Sequence, residues 1–245
     1  MLAAELVQLK VDVIVTQTTA AALAAKKATT TIPIVMAGSS SPDRLGLVKS
    51  LARPGENVTG MTNNPGTGFF AKMVQSLKDA APRVSRLAVL AEPTISDSTN
   101  EIEASAPSLG LTVIVLRASA PEQVPGILAA ALRERADGLF ISPSPVFDAQ
   151  RLLIVNFALV NRLPSICGDR DFATAGGLMS YWTDWTDLRR KTATYVDKIL
   201  RGANPGDLPV EQPTKFELVI NIRVADALGL TIPQSLLVRA NEVIQ

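Results

Sequence analysis

Short apolar runs alternate with amphipathic helical stretches along almost the whole chain, and this alternation limits the fold more than any other feature. Residues 11–15 read as a buried strand, 20–28 as a helix rich in alanine and lysine, and 32–36 as a second strand. A helix is expected over 44–52 and a short strand over 57–61, joined by a turn that Pro54 and Gly55 set. The pattern then restarts. Strands are expected over 87–90, 111–116, 138–141 and 165–167, and helices over 69–80, 100–109, 122–135 and 148–161. Such spacing implies βαβ units and parallel sheets. The tail differs. A strand over 176–181 precedes a long helix that Asp184 would cap, then late strands over 208–210 and 216–220 and a short helix closed by Gly229. The fold class expected is α/β, with two lobes through which the chain passes more than once.

Composition removes several function classes. The sequence has no histidine, which excludes Ser-His-Asp and Cys-His catalysis and His-ligated zinc. The lone cysteine, Cys167, lies in an apolar run and reads as a buried small residue. A net charge of +1 and 4% aromatics give neither a phosphate-binding surplus nor a base-stacking surface, so no nucleic-acid partner is expected. No apolar run reaches the roughly 18 residues of a membrane span, so no direct membrane insertion is expected. The sequence has no G-x-G-x-x-G, no P-loop and no G-x-S-x-G motif, and no cofactor is expected.

Several stretches are specific beyond the βα pattern. Residues 23–34, 47–60, 176–181, 193–202, 208–221 and 227–233 resemble ABC-transporter substrate-binding proteins of the family that includes tryptophan- and tyrosine-binding members. The resemblance covers essentially the whole chain. It implies two doubly wound, three-layer αβα lobes of the type I periplasmic-binding-protein class, a periplasmic location, and capture of a small amino-acid-like or other polar solute for delivery to an ABC permease, without catalysis. It places residues 1–62 and 183–207 in the N-terminal lobe, and 63–182 and 208–245 in the C-terminal lobe. Family members carry a secretory signal and a further βαβ unit ahead of the segment that matches Leu2, so the first lobe is expected to be incomplete. The same fold occurs in regulators, which leaves a ligand-sensing module as the alternative.

Ligands of open α/β sheets bind outside the carboxyl ends of the strands. The turn 16–19 follows the first strand and precedes a helix, so its hydroxyls could receive a carboxylate; Gln17, Thr18 and Thr19 are the candidates, with helix capping the other use for either threonine. Ser40 and Ser41 end the second strand, where many relatives carry Asp-Pro against Ser41-Pro42 here. In the second lobe, Glu92 could meet an ammonium, and Ser144 lies in a loop stiffened by Pro143 and Pro145. Asp169 and Asp171 could bind an ammonium as well, with Arg170 forming an ion pair beside them. Tyr181 could stack on an aromatic ligand or pack at a crossing between lobes.

Overall fold

The computed structural model describes residues 2–93 and 97–245, with only the backbone of Asp97. The chain divides into two compact units, one of residues 2–66 with 183–216, the other of 67–182 with 217–245.

The first unit opens with α1 (Leu2–Gln8), β1 (Ile14–Thr16), α2 (Thr19–Ala28), β2 (Ile34–Ser39) and β3 (Val58–Thr62). The strands form a parallel sheet in the order β1-β2-β3. Both faces of β2 are buried, as expected of a central parallel strand. On one face Ile14, Ile34, Met36 and Val58 pack with Ala22 and Ala25 of α2. β1 is an edge strand, and Val15, which points the other way, is 53% exposed.

The second unit contains α3 (Phe69–Ala80), β4 (Arg86–Ala91), α4 (Asp97–Ser105), β5 (Thr112–Arg117), α5 (Val124–Arg133), β6 (Gly138–Ile141), α6 (Pro145–Asp148), α7 (Arg151–Val160), β7 (Ser165–Cys167), α8 (Arg170–Thr174) and β8 (Met179–Thr183). The chain then forms α9 (Trp185–Leu200), which belongs to the first unit. Its Leu188, Tyr195 and Ile199 pack with Val35 and Met61 on the face opposite α2, so the first sheet lies between two helical layers. Asp184 caps α9 by accepting hydrogen bonds from the Thr186 and Asp187 amides at 2.9 and 3.0 Å. The Tyr195 hydroxyl donates to the Pro209 carbonyl and to Glu211, fastening the return segment to α9.

Back in the second unit come β9 (Phe216–Asn221), α10 (Ile222–Leu228), α11 (Gln234–Leu237) and β10 (Glu242–Ile244). The seven-stranded sheet runs β10-β9-β8-β7-β6-β4-β5. α5 and α7 cover one face through Val124, Leu128, Ile154 and Val155, while Phe70 of α3 meets Phe140 on the other. Burying one such side chain contributes about 1.5–3 kcal/mol. The Glu101 carboxylate accepts from the Ala71 amide at 2.9 Å, capping α3, whose own N-cap residue is Gly68.

The structure departs from the expected elements in several places. Residues 44–52 form turns rather than a helix, because the Leu47 and Val48 amides both bond the Pro42 carbonyl and Lys49 bonds that of Pro54. Residues 208–210 form no strand; only Glu211 bridges Met61. The stretch 148–161 is split between α6 and α7, and Asp169 initiates a short helix where a loop was expected.

Candidate functional site

The carboxyl end of the first sheet is built from hydroxyls and amides. Thr18 is the N-cap of α2, and its Oγ1 accepts from the Ala21 amide at 3.2 Å, so this hydroxyl is used for capping. Thr19 Oγ1 accepts from the Ser39 hydroxyl at 3.3 Å and from the Ser40 amide at 3.0 Å. The Ser40 hydroxyl donates to Asn63 Oδ1 at 3.0 Å. Ser39 is held by β3, since its carbonyl accepts from the Thr62 hydroxyl and the Asn63 amide. Ser41 takes a left-handed backbone, φ +43°, and its carbonyl accepts from the Leu45 amide. Gln17 is exposed. Thr19 and Ser40 are thus brought together, joined by Ser39 and by Asn63, which the sequence did not single out.

The carboxyl end of the second sheet is acidic. The Ser144 hydroxyl donates to the Glu92 carboxylate, and the Ser144 oxygen accepts from the Val146 amide to cap α6. Asp148 ends α6, its amide bonded to the Ser144 carbonyl. Burial first, and Asp169 second, push the Asp148 carboxyl up to about 6; Arg151 opposes the shift and Asp171 adds to it. Asp169 caps α8 by accepting from the Asp171 amide at 2.8 Å, and Asp171 pairs with Arg151 at 3.1 Å. Arg170 faces away from this group, toward Glu217 and Glu242. Burial raises the Cys167 thiol well above its ordinary value, so it is held as a neutral packing residue. Thr94, two residues after Glu92 in the same loop, lies outside the described residues.

Tyr181 is grouped differently from these acids. It stacks on Phe69, ring centroids 5.0 Å apart, with Trp182 edge-on to Phe69 and Lys72 Nζ 5.2 Å from the Tyr181 ring. Phe70 completes the aromatic cluster against Trp182.

Buried polar atoms that lack a partner point to the same places. Among the described residues these are Thr16 Oγ1, Ser98 Oγ, Ser142 Oγ, Thr183 Oγ1 and Arg151 Nε. Thr16 and Thr183 end strands, Ser142 follows β6, and Ser98 and Arg151 lie in the first turns of α4 and α7. Each is therefore on the carboxyl side of its sheet. Buried polar groups are normally paired, so this clustering marks surfaces that a polar ligand or water completes.

Parallel sheets packed between helices in this order have the type I periplasmic-binding-protein fold. A family model for ABC transporter substrate binding proteins matches residues 1–244, and the chain belongs to that family. A protein from Streptococcus pneumoniae, solved as an ABC domain in complex with L-Trp, is 28% identical with a TM-score of 0.88, covering 99% of this chain and 82% of that one. A conserved domain protein from Vibrio cholerae is 29% identical with a TM-score of 0.87, covering 98% of this chain and 81% of that one. A tyrosine-binding protein of Clostridioides difficile is 25% identical over 229 residues, or 94% of this chain. The chain spans 66% of that relative's length.

Proposed function

We propose that this protein captures an aromatic amino acid outside the membrane and presents it to the membrane subunits of an ABC importer, without transforming it. The observation that carries this reading is the opposite polarity of the two sheet ends. The first offers hydroxyls and the start of α2, which suit a carboxylate. The second offers Glu92, Asp148, Asp169 and Asp171 against Arg151, which suit an ammonium. The aromatic cluster of Phe69, Phe70, Tyr181 and Trp182 and the ligands named for two relatives favour an aromatic side chain. None of the described helices is long and apolar enough to cross a membrane.

A thermal-shift screen of the purified protein against the standard amino acids tests this reading. A ligand that binds only the folded state raises the melting temperature, and 100 Kd of free ligand adds about 2.7 kcal/mol. The expected result is a rise with L-tryptophan or L-tyrosine, with the amino acid recovered unchanged. No rise with any amino acid contradicts it.

A further inference from the structure

We infer that Thr16 and Asn63, together with Thr19, are the residues that read the solute's carboxylate, and that Ser40 positions Asn63 rather than touching the solute. The inference deepens the amino-acid reading above and rests on it.

Donor and acceptor bookkeeping makes the assignment. Thr19 Oγ1 already accepts two hydrogen bonds, so its own proton is what it has left to offer. Ser39 and Ser40 have spent their hydroxyl protons on Thr19 and Asn63. Asn63 uses Oδ1 as the acceptor, which leaves its Nδ2 donors with no partner among the described residues. The half-exposed Asn63 amide is therefore fixed by Ser40 with its donor side uncommitted.

Thr16 supplies an independent sign. It is 5% exposed and its hydroxyl has no hydrogen-bond partner. Ile14 and Thr16 share one face of β1, and Ile14 packs there with Ala22 and Ala25 of α2. Two residues further along the same face, Thr16 therefore points beneath the first turn of α2. The first amides of a helix have no partner within it, and the Thr18 side chain satisfies only that of Ala21. Two of the uncommitted groups at this sheet end can only donate, the Asn63 Nδ2 and the first amides of α2, and the Thr16 and Thr19 hydroxyls can add their protons to them. Donor-only groups beside hydroxyls that can donate favour an anionic oxygen pair over an ammonium.

The test compares L-tryptophan and L-tyrosine with their carboxamides, by calorimetry, on the wild type, Thr16→Val and Asn63→Asp. Thr16→Val keeps the shape and removes the orphan hydroxyl. Asn63→Asp keeps the acceptor for Ser40 and replaces the free donors with negative charge. The wild type is expected to bind at least one amino acid well above its carboxamide. Each variant should weaken that amino acid by about tenfold or more and the carboxamide much less. Thr16→Val should also melt, without ligand, no lower than the wild type, which a purely structural threonine would not do. If the wild type discriminates but both variants bind as it does, the assignment of Thr16 and Asn63 is overturned while the amino-acid reading stands. If the wild type binds neither amino acid, both fall.

Discussion

Asp148 shows how one side chain's surroundings become a measurable property. It ends the four-residue α6 and is half-buried. Asp169 and Asp171 face it from α8 and its cap, Cys167 from β7, and only Arg151 of α7 compensates. Its folded pKa of about 6 lies above the ordinary 3.8, so the folded state holds the proton more tightly than the unfolded chain. The stability linked to that proton is fully present below the ordinary value and is lost as pH rises through about 6. Asp148→Asn removes the titration. The gap in melting temperature between variant and wild type should grow in the variant's favour from pH 4 to beyond 6 and then level off. A gap that does not change with pH means that Asp148 is not the perturbed group. Sequence reading passed over this residue as the start of a helix, because the acids and the burial that perturb it come from separate elements. Asn63 escaped for the same reason. Its run Asn63-Asn64-Pro65-Gly66 reads as a turn, and its partner Ser40, 23 positions away, is a neighbour only once β2 and β3 pair. Thr18 was legible as a possible cap because capping is local.

Among the elements, β2 and β3 approach each other closely. Gly60 of β3 has φ +119°, and a Cβ there would stand 2.4 Å from the Met36 carbonyl oxygen and 2.6 Å from its nitrogen. Both obstacles are backbone in the central strand, so neither can swing aside. Gly60→Ala should destabilise the first unit by more than about 2 kcal/mol, because a left-handed backbone and a steric clash add together. Equilibrium denaturation measures this, and a loss below about 0.5 kcal/mol would mean that the strands separate freely. Strands such as β4 and β6 were readable because each is an apolar run buried on both faces. The helix expected over 44–52 failed on a more mixed run. Its Leu47 and Val48 are adjacent and both buried while Leu45 is 46% exposed, a pattern that suits a turn pinned between Pro42 and Pro54 rather than a helical stripe. β10 was missed because its residues pair at an edge that only β9 creates.

Over the whole molecule, chemistry collects at one level of each sheet. The carboxyl end of the first sheet carries Thr16, Thr19 and Asn63, and that of the second carries Glu92, Ser144, Asp148 and Asp169. The βα alternation made this end predictable, since strand-to-helix turns in parallel sheets all fall on the same side. Which side chains are spent on caps and which remain for a solute was not predictable, since Ser144 and Asp169 each serve a helix and stand in the acidic group at once. The central claim is that the solute is an amino acid held by its carboxylate and its ammonium. The most direct measurement is calorimetric titration with L-tryptophan, tryptamine and indole-3-propionate, and in parallel with L-tyrosine, tyramine and 3-(4-hydroxyphenyl)propionate. Losing a hydrogen-bonded charged end should cost at least about 1.4 kcal/mol, or tenfold in Kd. The account predicts saturable binding of at least one amino acid, with both of its one-ended analogues weaker by that factor. Analogues that bind as tightly as their amino acid, or an absence of binding by both amino acids, would contradict it.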